Sequence, residues 1–465
     1  MSQTVREVAL TIMTKMDSLP PVSTECCIYR VPEKLRRANE EAYTPQVISI
    51  GPFHHDKKEL QLMEEIKLRY LTGFLRRSKT DLIACTRMVK ELEHQIRQCY
   101  QERLTQDSDE LIEMILVDAV FVVELFIRSH SPKQREENDE IVSMQWMSNA
   151  IFHDFLLLEN QVPFFVLEDL YNLTALSTAV TFFELSYEYF KDILQGHKLE
   201  SHNVQAKHLL DYLRALQLPS LSRGVMSKSA KKTRRVKELQ EAGIKFRPGE
   251  GTSLLDVIFK DGTLVMPRLV VHKWTAVFFR NMIVYEQCHH DEKYITSYAI
   301  LIESLINTPD DIDILISCGI LENQLWSVDD VGSLISGMHK ETTTDSSEFY
   351  YAGLCENLNA YRRTRWHRWK AAWYQWRVIL NRDYFGNPWS GISVVAAVVL
   401  LVLTLLQTTY SIFEFYKGGT SDANKRCPPE MKTEVNIGLE TNRAVGVVAY
   451  QDQLVPLLSG GAGSQ

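Results

Sequence analysis

The stretch "HDFLLLENQVPFFVLEDL", residues 153–170, places a polar cluster of Asp154, Glu159, Asn160 and Gln161 inside a strongly apolar run that a proline interrupts. Polar groups in such surroundings need hydrogen-bond partners if the fold buries them. We therefore predict that the cluster forms a structural network that closes a helix end and fixes a reversal of the chain. The alternative is that the two carboxylates of the cluster act as a catalytic pair.

A second polar group lies in "ISIGPFHHDKKEL", residues 48–60, where His54, His55 and Asp56 follow each other directly. Adjacent side chains point to different faces of a helix or a strand, so neighbouring histidines seldom bind one metal ion. We predict instead that Asp56 caps the following helix and that Glu59, three residues on, completes a capping box. On this interpretation the stretch needs neither a metal nor a cofactor.

The triplet His289, His290 and Asp291 also precedes a helix with apolar residues at three- and four-residue spacing. We predict that Asp291 caps that helix in the same way. The alternative is that the two triplets meet in space and form a joint site. A separate alternative is an enzyme of unknown reaction whose site uses Asp154, Glu159, His54 or His55.

The chain contains none of the short motifs that identify phosphate-binding loops, dinucleotide-binding folds, α/β-hydrolases or zinc metalloproteases. The absence of a motif does not exclude an enzyme. Without such a motif, we assign no catalytic, cofactor-binding or metal-binding residue from the sequence.

The composition is that of a globular chain, with 45% apolar and 24% charged residues among 465. The net charge of -8 disfavours a nucleic-acid partner, which would require an excess of lysine and arginine. The eight cysteines include no C-x-x-C pair, which favours a reducing compartment. Residues 1–24 lack the continuous apolar core of a signal peptide, so we treat them as a leader segment of a cytosolic domain.

The dominant period of the apolar residues is helical, as in 63–74 and 295–305. It predicts a mainly α fold with one large helical domain over residues 25–385. In "SLLDVIFKDGTLVMPRLVV", two β-rich runs flank Asp261 and Gly262, a dipeptide that suits a tight turn. We therefore expect one short β-hairpin within the helical domain.

The segment "WSGISVVAAVVLLVLTLLQTTYSIF", residues 389–413, contains no charged residue and predicts a single C-terminal transmembrane helix. The alternative is a buried core helix. Residues 414–465, rich in Gly, Ser and Pro, predict a flexible tail or reflect a gene-model or splicing artefact. We expect a single-pass protein of the plasma membrane or an endomembrane. Its large N-terminal domain would lie in the cytosol, and the lipid bilayer would be a partner.

Tryptophans recur at helical spacing before that segment, and basic residues surround them. Tryptophan prefers the membrane interface and basic side chains reach anionic headgroups, so we predict a membrane-interface collar. The alternative is that these rings pack on the core of the domain, and both can hold at once. The collar comprises Trp366, Trp369, Trp373, Trp376, Arg365, Arg368 and Lys370.

A further basic run lies in a serine-rich stretch near 222–237. Its composition fits a solvated loop, which we favour, or a patch that attracts lipid headgroups. The sequence shows no internal repeat of fixed period.

Several stretches occur in an order that resembles the plant domain of unknown function 247 (DUF247) family. They include "AYTPQVISIGPFHH", "HDFLLLENQVPFFVLEDL", "ELQEAGIKFR", "FRNMIVYEQ" and "DDIDILISCGILEN", and the resemblance covers residues 27–415. It implies a helical cytosolic domain with a C-terminal span, no assigned activity and no catalytic residues. Some grass members of that family are linked to self-incompatibility. The first hypothesis is thus a non-catalytic interaction or recognition module with an unidentified protein partner, and the alternative is a membrane-tethered enzyme.

Overall fold

The fold is described from a computed structural model of the chain, which divides into two units, Met1–Asp383 and Tyr384–Gln465. The structure describes residues 3–17, 24–131, 139–174, 180–194, 205–219, 232–249, 253–338, 349–363, 373–374, 376 and 388–418.

Helices dominate the described part of the first unit, so the prediction of a mainly α fold is confirmed. Two short 3-10 helices, Glu40–Tyr43 and Lys58–Leu60, flank the motif that contains the first histidine pair. The α-helices of this unit are α1 (Gln3–Asp17), α2 (Glu33–Ala38), α3 (Leu62–Ser78), α4 (Leu82–Cys99), α5 (Ser108–His130), α6 (Glu140–Ser143), α7 (Gln145–Phe155), α8 (Phe164–Asn172), α9 (Phe182–Tyr189), α10 (Lys191–Leu194), α11 (Leu209–Gln217), α12 (Val236–Glu241), α13 (Thr275–His289), α14 (Tyr294–Leu305), α15 (Pro309–Ser317), α16 (Val328–Ser336) and α17 (Ala352–Arg363).

Helix α5 forms the centre of the helical core. It is buried from Leu111 to Arg128 apart from Glu113, because its sequence is apolar on almost every face. Helices α3, α4, α8 and α9 pack around it. The Asp107 side chain starts the helix by accepting a hydrogen bond from the Glu110 amide at 2.9 Å. This helix is buried on all sides and holds in place the polar residues described below.

The predicted β-hairpin is present and belongs to a small sheet. Strand β2 (Ile258–Lys260) pairs antiparallel with β3 (Thr263–Pro267), and the turn residues Asp261 and Gly262 have φ of 50° and 74°. Positive φ at both positions is what a type I′ turn requires. The sheet also contains β1 (Lys245–Gly249), which pairs parallel with β3 and was not predicted.

A second pair of strands was not predicted either. Strand β4 (Leu269–Val271) pairs parallel with β5 (Leu321–Asn323). Each of these strands has three residues, too few to show an alternating pattern in the sequence.

Residues 389–413 lie within α18 (Pro388–Gly418) of the second unit. In the part of the chain that the structure describes, no helix combines the length and the apolar character that crossing a bilayer demands. The predicted transmembrane helix, and the single-pass membrane location inferred from it, are therefore wrong. The second half of the apolar segment contains the polar residues Thr404, Gln407, Thr408, Thr409 and Ser411.

Candidate functional site

Buried side chains hold the backbone of the irregular segment 46–51. The Asp154 carboxylate, at the end of α7, accepts hydrogen bonds from the amides of Gln46 and Val47 at 2.8 Å and from the amide of Ile48 at 3.0 Å. Asp154 itself is fully buried. One carboxylate therefore satisfies three consecutive amides that have no partner in a β-ladder within the described residues.

Asn160 and Gln161 complete the attachment. Asn160 accepts a hydrogen bond from the Ile50 amide at 2.7 Å and donates one to the Ile48 carbonyl at 3.1 Å. Gln161 donates to the Phe155 carbonyl at 2.8 Å and so closes the end of α7. The network predicted from this part of the sequence is observed, and it both ends a helix and fixes the chain reversal.

The far end of the segment is held by a buried ion pair. The Gly51 amide donates to Asp118 at 2.8 Å. Lys67, fully buried on α3, donates to Asp118 at 2.5 Å and to the Ser49 carbonyl at 2.6 Å. Gly51 has φ of 77°, and a Cβ atom at this position would collide with the Gln161 carbonyl oxygen. The site therefore requires glycine.

Glu159 joins this region to the N-terminal part of the domain. Its Oε1 accepts a hydrogen bond from the Val31 amide at 2.6 Å and forms an ion pair with Arg36 Nη2 at 2.6 Å. Its Oε2 lies 3.3 Å from Arg30 Nη1 and 3.1 Å from His54 Nε2. The sequence-derived candidates Glu159 and His54 thus meet, but both are buried. We call segment 46–51 with Lys67, Asp118, Asp154, Glu159 and Asn160 the buried junction.

The charges around Glu159 define its protonation state. Burial alone would raise the pKa of Glu159, but His54, the Val31 amide and Arg36 outweigh it and lower that pKa to about 2. Burial also lowers the pKa of His54, against the pull of Glu159. Because a lowered pKa leaves His54 neutral near pH 7, we assign the compensating positive charge to Arg36 and Arg30.

The residues Asp56 and Glu59, predicted to form a capping box, lie outside the N-cap positions. The 3-10 helix Lys58–Leu60 has Lys57 at its N-cap, and α3 has Gln61, with no side-chain capping bond at either. The 3-10 turn separates Asp56 from the first turn of α3 and leaves it exposed. This insertion is the physical reason for the difference.

Asp291 likewise lies before the N-cap of α14, a position that Lys293 occupies. His289, the first residue of this triplet, lies 2.8 Å from the Tyr29 hydroxyl through its Nδ1, whereas His54 of the first triplet contacts Glu159 in the buried junction. The two triplets therefore have different partners. Among the described residues, no group of three or more His, Cys, Asp or Glu side chains is arranged to hold a metal ion.

Most of the predicted tryptophan collar, Trp366, Trp369, Arg365, Arg368 and Lys370, lies outside the described residues. Trp373 and Trp376 are described and are 75% and 67% exposed.

The basic run near 222–237 is described from residue 232 onward. There, Lys232 approaches Glu303 at 3.8 Å and Lys237 binds Asp310 at 2.6 Å. The described basic side chains of this run are exposed or half-buried and paired with acidic neighbours, as in a solvated surface.

An open cleft of about 860 Å³ lies between the Glu40–Tyr43 turn, α7 and the first turns of α13. Aromatic and charged side chains converge on it from segments that are far apart in sequence. Trp146 is 61% exposed at its edge, and Trp274 stacks on His272 with ring centroids 4.7 Å apart. The cleft is lined by Asn39, Glu41, Ala42, Gln46, Val47, Trp146, Asn149, Ala150, His153, Asp192, His272, Lys273, Trp274, Ala276, Val277, Arg280 and Gln324.

His153 connects the cleft with the buried junction. Its Nδ1 lies 3.0 Å from Asp154 Oδ1, while the residue forms part of the cleft wall. The carboxylate orients the ring and favours the tautomer with a proton on Nδ1, which leaves Nε2 as an acceptor. The pair can therefore position a hydrogen-bond acceptor, or a base, at the wall of the cleft.

The cleft was missed from the sequence. None of the cleft residues Trp146, His153, Trp274 and Arg280 was selected as a candidate, because only the tertiary fold brings 39–47, 146–153 and 272–280 together. The one available signal was His153, which stands directly beside Asp154 in the polar cluster.

Comparisons with known proteins identify the family. The model of the family DUF247, described as a plant protein of unknown function, matches residues 28–403. The chain is 31% identical to a UPF0481 protein of Arabidopsis thaliana over 436 residues, covering 87% of this chain and 90% of the relative. It is 22% identical to a putative UPF0481 protein of the same plant, covering 84% and 90%. No solved structure matches the chain. The chain therefore belongs to the DUF247 family of plant proteins of unknown function.

Proposed function

We propose that this chain is a non-catalytic recognition module that binds a protein partner through the cleft. The observation that carries the proposal is the cleft lining, where Trp146, Trp274 and Arg280 stand together. Tryptophan and arginine are the residue types that contribute most binding energy at protein interfaces. The exposed Trp146 supplies apolar area at the edge, and the exposed Lys273, whose ammonium lies 5.7 Å from the centroid of the Trp326 ring, adds a cation to the lining.

The state of the carboxylates supports binding over catalysis. Asp154 accepts three backbone hydrogen bonds and contacts His153, and Glu159 is held by Val31 and Arg36. Neither carboxylate lines the cleft. A carboxylate whose oxygens are occupied by backbone amides supports the fold and is poorly placed to exchange protons with a ligand.

The test compares cleft variants with a variant on another surface. Trp146→Ala combined with Lys273→Ala removes two exposed lining side chains without opening the core. Ile83→Ala, an exposed residue of α4 that does not line the cleft, is the matched control. Proteins captured from plant extract by the wild-type domain are identified, purified and titrated against all three proteins by calorimetry.

We expect the double variant to weaken binding of a true partner by about tenfold or more, and Ile83→Ala to bind as the wild type does. A captured protein that binds the double variant as tightly as the wild type would exclude the cleft as the recognition surface.

A second candidate function is favoured by the His153–Asp154 contact. In an enzyme, His153 would act as a general base on water in the cleft, with Asp154 as the positioning residue. In that case incubation with plant metabolite extract would consume a compound catalytically, and His153→Asn would abolish the turnover. A binding module predicts saturable binding at a fixed ratio with no product.

A further inference from the structure

We propose that Cys27 and Cys99 form a redox modification site, in which hydrogen peroxide converts the two thiols into a reversible disulfide. Both cysteines are free and buried. The inference is independent of the cleft and of the function proposed above.

The geometry follows from a short parallel contact between the N-terminal segment and the end of α4. Ile28 and Tyr100 form a parallel β-bridge, so Cys27 and Cys99, which precede them, lie opposite each other. The amides of Cys27 and Ile28 both donate to the Cys99 carbonyl at 2.9 Å, and the Gln101 amide donates to the Ile28 carbonyl at 2.9 Å.

Cys99 is the last residue of α4, and the direct hydrogen bond from the Cys27 amide to its carbonyl brings the two backbones to about the separation of neighbouring strands, about 4.8 Å. This spacing lies within the range of Cα separations that a disulfide bridges without backbone movement, about 4.4–6.8 Å. The backbones are therefore close enough for a bond between the two thiols, which interact with each other.

The electrostatics favour one reactive sulfur. A hydrogen bond from the Cys27 thiol lowers the pKa of Cys99, and the positive charge of Lys207 lowers it further. The same hydrogen bond, followed by burial, raises the pKa of Cys27. Cys99, whose thiol donates to the Gln95 carbonyl at 3.3 Å, is thus the more acidic thiol of the pair and the first to be oxidised, and Cys27 is the thiol that resolves it. Cys99 is 6% exposed, which restricts access to small oxidants such as peroxide.

The reaction balances with peroxide as the only co-reactant. The Cys99 thiolate attacks one peroxide oxygen, the O–O bond breaks, and Cys99 becomes a sulfenic acid while hydroxide leaves and is protonated to water. Cys27 then attacks the Cys99 sulfur, forms the S–S bond and displaces a second water. Two thiols are oxidised by two electrons, and one peroxide is reduced to two waters. A dithiol reductant reverses the change.

The bond would tie the N-terminal segment to the end of α4. That segment also supplies the Cys27 carbonyl, which lies 3.1 Å from His208 Nε2, and the Val31 amide that binds Glu159. Oxidation would therefore fix the N-terminal segment, on which the buried junction depends.

The experiment treats the full-length chain with hydrogen peroxide and blocks the remaining thiols by alkylation. Trypsin then releases peptides 16–30 and 98–103, and mass spectrometry detects a cross-link between them. Because peptide 16–30 contains Cys26 as well as Cys27, the experiment is repeated in Cys26→Ser. Cys288→Ser, at an exposed cysteine, is a second control.

We expect a cross-link with the mass of the two peptides less two hydrogens, which forms in the wild type and in both controls and disappears on addition of a dithiol. Cys27→Ser and Cys99→Ser should each abolish it. Oxidation confined to Cys288, a bond between Cys26 and Cys288, or no bond to Cys99 would each overturn the proposal. If Cys27→Ser or Cys99→Ser fails to fold, the peptide map of Cys26→Ser still decides the question, because its peptide 16–30 contains Cys27 as the one cysteine.

Discussion

The buried junction and the cleft both collect charged side chains, but the two regions use them differently. In the buried junction, Asp154 and Glu159 bind backbone amides and internal cations and have no contact with solvent. In the cleft, Trp146 and Lys273 remain exposed. The difference shows that the polar cluster at 154–161 supports the fold, whereas the surface suited to a ligand is assembled from residues scattered along the sequence.

The largest expected effect breaks the buried junction at Asp154. Asp154→Ala removes the acceptor of three amides, of which that of Ile48 is buried, that of Val47 is half-buried and that of Gln46 belongs to an exposed residue. Because each unsatisfied buried group costs about 1–3 kcal/mol, loss of the Val47 and Ile48 bonds should lower the free energy of unfolding by up to about 6 kcal/mol, a large part of the stability of a typical domain. Urea unfolding followed by circular dichroism measures the change.

The matched control for that variant is Asp56→Ala, which removes an exposed carboxylate from the same part of the fold. Since Asp56 occupies no N-cap position, we expect a change within about 0.5 kcal/mol. Equal effects of the two substitutions would contradict the distinction between supporting and solvent-exposed carboxylates.

The next effect concerns the buried ion pair. Lys67→Met leaves Asp118 as an uncompensated buried charge, and we expect a loss of about 3–5 kcal/mol in the free energy of unfolding. Adding Asp118→Leu to Lys67→Met removes the charge, so the double variant should recover part of the loss. Recovery should be incomplete, because the Gly51 amide then lacks its acceptor. A double variant less stable than Lys67→Met would refute this account.

A pH experiment tests the buried histidine beside the Cys27 carbonyl. Burial lowers the pKa of His208 to about 4, from about 6.5 in the unfolded chain. The folded state therefore binds fewer protons between these values, so its stability is complete above pH 6.5 and declines as pH falls to 4. A shift of this size corresponds to about 3 kcal/mol.

Replacement of His208 by asparagine keeps an N-cap acceptor for the Asp211 amide and removes the titration. We expect the stability of His208→Asn to depend less on pH between 6.5 and 4 than that of the wild type. Some dependence should remain, because burial also lowers the pKa of His54. An unchanged pH profile of the unfolding midpoint would show that His208 is not the titrating group.

The smallest expected effect on stability is in the cleft. Trp146 is 61% exposed, so Trp146→Ala should change the free energy of unfolding by no more than about 0.5 kcal/mol. Thermal melting measures this value. A much larger loss would mean that the ring supports the fold, and the contrast between the two regions would then disappear.

Local patterns in the sequence predicted what depends on neighbouring residues. The turn at Asp261 and Gly262 was found because positive φ at two successive positions is a local requirement. The polar cluster at 154–161 was correctly interpreted as a paired network, since burial forces pairing. Its partners, Gln46 to Ile50, could not be identified, because they lie more than 100 residues away along the chain.

Other features depended on geometry that no short pattern carries. Asp56 has the spacing of a capping box, yet a 3-10 turn intervenes before α3. The apolar content of 389–413 indicated a membrane span, which the described structure does not support. The cleft brings together residues from five separate parts of the chain, so its residues could be selected only after the fold was known.

The dependence of segment 46–51 on Asp154 and Asn160 has a consequence for synthesis of the chain. The segment leaves the ribosome first, but its hydrogen-bond partners follow roughly 110 residues later, a delay of about 6–20 seconds at typical translation rates. During that interval a stretch whose amides lack their partners in the fold is exposed beside other nascent chains. We expect a chaperone to bind this stretch during translation and to leave it when α7 and the residues after it emerge.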